Sequence, residues 1–138
     1  MIVSTRGRYA LRVIIDLAEH DTEGYTPLKD IAKRQDISQK YLESIMTLLS
    51  KGELVEAIHG KGGGYRLNRK AEDYKVGDIL RLTEKSLAPV ACLECDAEAC
   101  DRVSECRTLP MWDNLNVMIN NYFNSVSIAD LAKGRVCL

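Results

Sequence analysis

The sequence predicts a mainly α-helical fold with one small β-hairpin, a winged helix-turn-helix followed by a long C-terminal helix. Three patterns carry this prediction: apolar residues at helical spacing in the first third of the chain, a glycine-rich hairpin after them, and renewed helical periodicity in the last third. A chain of 138 residues can bury a core of its own, and no apolar run approaches the ~20 residues that span a bilayer. We therefore expect one small domain with an appendage and no membrane segment.

Charge is distributed unevenly along the chain. Residues 1–70 carry 12 Lys and Arg against 9 Asp and Glu, a net charge of +3, whereas residues 71–138 carry 7 against 11, a net charge of −4. The N-terminal half is therefore the one better suited to face phosphate, although an imbalance of this size is weak evidence alone.

Two helices are predicted before residue 36. The first covers residues 5–19, where apolar residues recur at intervals of three and four, and Ser4 is its predicted N-cap. The second is short and covers residues 27–35. Its predicted N-cap is Thr26, and Pro27 suits the first helical position because its missing N–H would be unpaired there.

A third helix is predicted after a turn at Asp36 and Ile37, with Ser38 as its N-cap and its end near Gly52. A short helix, a tight turn and a longer helix form the helix-turn-helix pattern. Opposite the apolar stripe lie polar side chains that can hydrogen-bond base edges and phosphates: Gln39, Lys40, Glu43, Ser44 and Thr47. Taken alone, this helix is better explained by an ordinary solvated face.

A β-hairpin directly after the third helix favours the DNA-binding interpretation. Residues 54–59 alternate and include β-branched side chains, and a glycine-rich turn leads to the return strand at residues 65–67. The tip carries Lys61 and is flanked by His59 and Arg66, so the hairpin is predicted to be a wing that contacts the DNA backbone. A nucleotide-binding P-loop is excluded. The Lys of a P-loop is followed by Ser or Thr at the start of a helix, whereas Lys61 is followed by glycines and a strand.

The C-terminal half is predicted to contain a short helix at residues 76–83, packed under the wing, and a long helix from Thr108 to Val126. The long helix carries two apolar stripes: Met111, Leu115, Met118 and Tyr122 in one, and Trp112, Ile119, Phe123 and Val126 in the other. One stripe suffices to dock a helix on its own domain, so the second predicts a partner subunit. A two-fold homodimer would present two recognition helices to a palindromic site in double-stranded DNA. A final short turn is expected at residues 127–131.

Four cysteines lie within fifteen residues, at Cys92, Cys95, Cys100 and Cys106. The N-terminus lacks the apolar run of a signal peptide, so we expect a cytoplasmic protein whose clustered thiols stay reduced and bind metal or sense oxidation. Metal binding and a metal-free thiol switch both fit such thiols, and structural zinc fits least, since zinc sites usually use paired C-x2-C knuckles and only one such pair is present. Five acids against one Arg among residues 94–105 would tend to raise thiol pKa values and disfavour the thiol switch.

These motifs resemble the Rrf2 family of winged-helix regulators, which includes IscR, NsrR, RirA and CymR. The resemblance covers nearly the whole chain and rests on Ser4–Ala10, Ile37–Glu43, His59–Tyr65, the cysteine loop and Ser127–Leu131. It implies a homodimeric bacterial transcription factor, expected to be a repressor, whose operator binding is controlled in many members by a [2Fe–2S] or [4Fe–4S] cluster. The residues that it implies as DNA contacts are Ser4, Arg6, Ser38, Gln39, Lys40, Tyr41, Glu43, His59, Lys61 and Arg66.

The family's three-cysteine pattern falls on Cys92, Cys100 and Cys106. The fourth ligand stays open, because Leu109 stands where some relatives use His and Arg8 stands where others use a carboxylate. Cys95 is the candidate substitute, and an acidic neighbour or a partner-subunit residue is the alternative. We expect Cys137 to be a free thiol.

The resulting division is a DNA-binding domain at residues 1–74, a connector helix at 75–91, a sensor loop at 92–106, and a dimerisation helix with its tail at 107–138. Two other functions stay open: a metal-free regulator of the same fold, controlled by thiol oxidation or a partner protein, and an iron–sulfur carrier. No catalytic constellation is present in the sequence, so we do not expect an enzyme.

Overall fold

The computed structural model describes residues 3–21 and 24–136 of the chain. In chain order its elements are α1 (Thr5–Glu19), α2 (Leu28–Gln35), α3 (Gln39–Lys51), β1 (Val55–Ile58), β2 (Gly64–Leu67), α4 (Val76–Thr83), α5 (Leu109–Ser125) and α6 (Ile128–Ala132). The predicted fold, mainly helical with a winged helix-turn-helix and a long C-terminal helix, is confirmed. Within the two described stretches, no helix has the length and apolar character needed to cross a membrane.

Helix α1 lies at the centre of the N-terminal core. Ser4 caps it as predicted, because its side-chain oxygen accepts a hydrogen bond from the backbone N–H of Gly7 at 3.0 Å. One face of the helix is buried through Ala10, Val13, Ile14 and Leu17. This apolar face packs against α2, α3, α4 and α6, so α1 holds α2 and α3 together with α4 and the C-terminal α6 in one core.

Helices α2 and α3 form the predicted helix-turn-helix. Asp36 takes a left-handed conformation between them, with φ of 54°, and Ile37 is buried after the turn. Ser38 caps α3 by accepting a hydrogen bond from the backbone N–H of Tyr41 at 3.2 Å. The turn is therefore fixed by one left-handed residue and one buried side chain.

The wing is a two-stranded antiparallel sheet whose register ends with Ile58 opposite Gly64. A one-residue bridge extends this sheet, because the backbone of Thr26 exchanges two hydrogen bonds of 2.8 Å with Tyr65. The prediction that Thr26 caps the second helix is wrong: the residue before α2 is Pro27, and α2 has no side-chain cap. The backbone of Thr26 pairs with the sheet instead.

Gly64 makes this bridge possible. A Cβ atom built at its position would lie 2.1 Å from the carbonyl oxygen of Thr26, and its φ of +154° disfavours any larger residue. The close approach ties the base of the wing to the segment that precedes α2, so the wing and the helix-turn-helix form one unit.

Helix α4 has the predicted bounds but a different neighbourhood. It lies mainly against α1 and α5, so the prediction that it packs under the wing is wrong. Val76 and Leu80 are buried with Leu87 and Val126 in a small second cluster, while Ile79 joins the main core. Helix α4 therefore joins the N-terminal core, through α1, to the C-terminal helix α5.

Helix α5 is attached to α4 by apolar packing of Phe123 on the small second cluster and by polar contacts. Arg81 of α4 donates hydrogen bonds to the side-chain oxygens of Asn120 at 3.0 Å and Asn124 at 2.8 Å. No residue of α5 is buried in the single chain. Five of its large apolar side chains are exposed: Met111, Leu115, Val117, Met118 and Tyr122. After α5, a capping box of Ser127 and Asp130 starts α6, which returns to α1.

Candidate functional site

The outer face of α3 presents the polar side chains that the sequence predicted as DNA contacts. Gln39, Lys40 and Glu43 are exposed. Ser38 is exposed as well, and because its oxygen accepts the capping bond, its hydroxyl proton can still be donated. The opposite face is anchored in the core by Leu42, Ile45, Met46 and Leu49. The helix is thus fixed on one side and accessible on the side that a major groove would meet.

Tyr41 differs from these neighbours because it is half-buried. Its ring meets the ring of Tyr9 edge to face, with centroids 5.8 Å apart and planes at 76°. The guanidinium of Arg12 lies 4.9 Å from the centroid of Tyr9. Tyr41 therefore fastens the first turn of α3 to α1, and its contact with DNA stays a prediction.

The predicted cations of the wing differ in whether an acidic side chain pairs with them. His59 and Lys61 are exposed near the tip. Arg66 lies in β2 opposite Glu56, and its Nε donates a hydrogen bond to the Glu56 carboxylate at 2.7 Å. This bond raises the pKa of the Arg66 guanidinium, which also lies 4.6 Å from the ring centroid of Tyr25. Part of the Arg66 charge is compensated by Glu56, so Lys61 carries the more available positive charge of the wing.

Glu43 is coupled electrostatically to the base of the wing. Burial raises the pKa of the Tyr65 phenol, and the negative charge of Glu43 raises it further. The phenol therefore stays protonated beside the recognition helix. An acid on a DNA-facing helix costs affinity for phosphate unless it accepts a hydrogen bond from a cytosine amino group.

We expect Glu43→Ala to relax the sequence preference of DNA binding. Loss of an acceptor for cytosine should lower discrimination at one base pair of each half-site by about 1–3 kcal/mol, whereas affinity for other sequences should rise because a negative charge is removed. Binding to a panel of operator variants measures both effects, with Glu43→Gln as the charge-only control. An unchanged ranking of the panel would contradict this role of Glu43.

The start of α1 contains Ser4 and Arg6, whose contacts with DNA stay predictions. Arg6 is exposed. In contrast, the backbone N–H and the hydroxyl of Ser4 both donate to Oε1 of Glu84, at 3.1 and 2.7 Å. In this conformation the donors of Ser4 are therefore occupied by a carboxylate. Sequence analysis did not identify Glu84, because nothing local marks the residue after a short helix as the partner of a residue 80 positions away.

A charge network that the sequence analysis also missed joins α1 to α2. The buried Asp16 carboxylate accepts hydrogen bonds from Nη2 and Nε of Arg34, at 2.7 and 3.0 Å, and from Nε2 of Gln35 at 2.8 Å. Burial alone would raise the pKa of Asp16, but the hydrogen bonds from Arg34 and Gln35 and the Arg34 charge lower it below its ordinary value. The sequence contained one sign of this network: Asp16 is an acid between Val13 and Leu17, within the apolar stripe of α1.

The cysteines lie on the segment between α4 and α5. Cys92, Cys95 and Cys100 are exposed, Cys106 is half-buried, and all four are free thiols. Cys137 lies outside the described residues. The chemistry of the donors fits an iron–sulfur cluster, since four accessible thiols are soft ligands for iron. Among residues 3–21 and 24–136, however, no three His, Cys, Asp or Glu side chains are gathered closely enough to share a metal ion. The thiols would therefore have to come together when a metal binds.

Cys106 differs from the sequence-based expectation for the loop. Its Sγ lies 3.5 Å from Oγ1 of Thr108, at the start of α5. Hydrogen bonds from the Thr108 side chain and from the backbone N–H groups of Thr108 and Leu109 lower the pKa of the Cys106 thiol, with a smaller contribution from Arg102. The prediction that the acidic neighbours raise thiol pKa values is therefore wrong for Cys106.

Comparison with known proteins agrees with this architecture. The family described as Rrf2, iron-dependent transcriptional regulator, matches residues 3–134. Protein rrf2 of Nitratidesulfovibrio vulgaris is 39% identical over 135 residues, which cover 96% of this chain and 88% of that protein. The HTH-type transcriptional regulator IscR of Sodalis glossinidius is 34% identical over 138 residues, covering 100% and 82%. The structure of CymR, the global cysteine regulator of B. subtilis, superposes with a TM-score of 0.77 at 34% identity, covering 97% and 98%. The chain therefore belongs to the Rrf2 family of DNA-binding transcriptional regulators.

Proposed function

We propose that the protein is a homodimeric regulator whose two α3 helices and wings bind a palindromic operator, and that an iron–sulfur cluster held by the cysteine loop controls this binding. The observation that carries the proposal is the pairing of an exposed polar face on α3 with a loop of four free thiols. We further propose that residues 1–74 form the DNA-binding domain and residues 75–91 the connector to the sensor loop. Residues 92–106 are that loop, and residues 107–138 form the dimer contact. A regulator of this kind works in the cytoplasm, where operator DNA lies.

The exposed side of α5 supports the homodimer. Large apolar side chains stand in solvent along the whole helix, with Met118 65% exposed at its centre. The apolar stripe of Met111, Leu115, Met118 and Tyr122 predicted from the sequence corresponds to this exposed side. A continuous apolar stripe of this kind favours a second copy of the same helix, because an isologous contact buries the stripe of both subunits at once.

Cys92, Cys100 and Cys106 are the proposed ligands, with Cys95 as the fourth. A bound cluster supplies a redox-sensitive and iron-sensitive centre. The chain itself sets the positions of these ligands: Cys106 stands three residues before α5, and Cys92 lies in the turn Ala91–Leu93 at the end of the connector. Bringing these thiols together would therefore pull the connector towards the first turn of the dimerisation helix.

The cluster is tested by an absorption spectrum, with iron and sulfide analysis, on protein purified without oxygen. Visible thiolate-to-iron bands with stoichiometric sulfide are expected in the wild type and absent in Cys92→Ala. Cys137→Ala is the matched control, since it removes a thiol outside the loop. If Cys95 is the fourth ligand, Cys95→Ala loses the bands as well; if they survive, another residue completes the site. A colourless, iron-free wild type that cannot be reconstituted would overturn the cluster.

A metal-free thiol switch is the second candidate, and the lowered pKa of Cys106 favours it. The Cys106 thiol, just before α5, could form a disulfide with Cys100 or Cys92 on the same segment. Mass spectrometry after mild peroxide treatment would identify this bond, and operator binding measured with and without dithiothreitol would show whether it regulates. Loss of peroxide sensitivity in Cys106→Ser, in a protein that contains no iron, would favour this candidate over the cluster.

A further inference from the structure

The carboxylate of Glu84 sits at the N-terminus of α1. Its Oε1 accepts hydrogen bonds from the backbone N–H of Ser4 at 3.1 Å and from the Ser4 hydroxyl at 2.7 Å. Glu84 immediately follows α4, so these two bonds join the start of the DNA-binding domain to the end of the connector. Ser4 continues to cap α1 through a separate bond from the N–H of Gly7, so the Glu84 contact is additional to the cap.

The same donors have the chemistry of a phosphate contact. The N-terminus of a helix favours an anion, because its N–H groups are unpaired and its dipole is positive there. Ser4 also lies beside two exposed cations, Arg6 and Arg8. A DNA phosphate approaching this edge would therefore meet two Ser4 donors that already hold a carboxylate, and it would meet the negative charge of that carboxylate as well.

Gly7 leaves the space that the Glu84 carboxylate occupies. A Cβ atom built on Gly7 would lie 2.1 Å from Oε1 of Glu84 and 3.1 Å from Oγ1 of Thr83. Glycine inside a helix costs about 1 kcal/mol relative to alanine, so its presence in the first turn of α1 needs a packing reason. Room for the Glu84 carboxylate is that reason.

Glu84 also lines a cavity that it shares with residues of the cysteine loop. A cavity of about 560 Å³ lies between the connector and the loop. Glu84 and Leu87 line one side of it, and Leu93 and Cys95 line another. Leu87 is buried in the small second cluster, so the connector wall is anchored. A rearrangement of the loop would change the part of the cavity lining that belongs to the loop, and with it the surroundings of the Glu84 carboxylate.

We propose that Glu84 is a positioning residue that competes with DNA phosphate for the Ser4 donors, and that a change in the cysteine loop acts on DNA binding by moving this carboxylate. The inference rests on the proposed DNA-binding function. It adds a residue through which the loop reaches the DNA-binding surface.

Glu84→Gln tests the competition, because it keeps an acceptor for Ser4 and removes the charge. Binding of the dimer to operator DNA is measured from 50 to 300 mM NaCl. We expect about three- to tenfold tighter binding at the lowest salt, and a slope of log K against log [NaCl] steeper by about 0.9 per subunit, one additional phosphate contact. Asp78→Asn is the matched control: it removes one negative charge from the same helix, where Asp78 is exposed and faces Arg81 at 3.6 Å. That variant should leave the slope unchanged.

Gly7→Ala provides an independent test, since it displaces the Glu84 carboxylate without changing any charge. It should steepen the slope in the same direction as Glu84→Gln. If Gly7→Ala fails to fold, Glu84→Gln and Asp78→Asn still decide the question. Equal slopes for Glu84→Gln, Asp78→Asn and the wild type would overturn the competition. A wild type that binds no DNA at any salt concentration would overturn the proposed function instead.

Coupling to the loop is tested with N-ethylmaleimide, which modifies the accessible cysteines in both proteins. We expect modification to change the operator affinity of the wild type at least threefold and that of Glu84→Gln less than twofold. An equal change in both proteins, or no change in the wild type, would overturn the coupling.

Discussion

Met118→Glu is expected to convert the protein to a monomer and to weaken operator binding by about 100-fold or more. Met118 is the most exposed of the large apolar side chains on α5, and a carboxylate there would be buried unpaired in a two-fold contact between α5 helices. Loss of the dimer separates the two recognition helices, so the gain of about 10²–10⁴ from binding both half-sites together disappears. Light scattering after gel filtration and operator titration measure the two effects.

Met118→Leu is the control for this prediction, because it changes shape but keeps the surface apolar. It should stay dimeric and bind the operator within about twofold of the wild type. Since no residue of α5 is buried in the single chain, Met118→Glu should leave the thermal stability of the N-terminal core intact. A Met118→Glu protein that remains dimeric would show that the subunits meet elsewhere.

Asp16→Ala is expected to destabilise the fold by about 3 kcal/mol, a large part of the stability of a small domain. The substitution removes the acceptor of three hydrogen bonds and leaves the guanidinium of Arg34 and the amide of Gln35 without their partner. Arg34 is partly exposed, with 31% of its side chain in solvent, so water offsets part of the loss. Urea unfolding followed by circular dichroism measures the free-energy change.

The same network predicts how stability depends on pH. The pKa of Asp16 is lower in the folded protein than in the unfolded chain, so its stabilisation is complete above the unfolded pKa of about 3.9 and is lost as the pH falls through the lower folded value. Asp16→Asn keeps the shape of the side chain but cannot ionise. Its unfolding free energy should therefore depend less on pH below about 5 than that of the wild type. Equal pH profiles for the two proteins would contradict a charged Asp16 in the core.

The helical elements could be predicted from the sequence because their signals are local. Ser4 and Ser38 cap their helices as their positions relative to the apolar stripes indicate. Helix α4 has the predicted bounds, because its apolar spacing is regular over the whole element. Thr26 is the exception: a Thr-Pro pair is a local signal for a helix start, but a pairing with Tyr65, thirty-nine positions later, prevailed.

The candidate site likewise combines features that are predictable from the sequence with features that depend on how the chain packs. The exposure of the polar residues on α3 and at the wing tip could be predicted from the helix-turn-helix and hairpin patterns, because residues opposite a buried apolar stripe face solvent. The pairing of Arg66 with Glu56 required the register of the wing. The lowered pKa of the Cys106 thiol required the position of the Thr108 hydroxyl and of the first N–H groups of α5, which charge counting along the chain could not supply.

Periodicity, capping residues and spacing were sufficient to predict the order and kind of the elements, the cysteine loop and the family resemblance. The packed structure was needed to show that Asp16 is held by Arg34, that Glu84 occupies the donors of Ser4, and that α4 lies against α1 and α5. Each of these contacts joins residues far apart in the chain, and their energies depend on distances and burial that arise only after the helices have packed. The residue that we propose as the link between loop and DNA, Glu84, belongs to this second group.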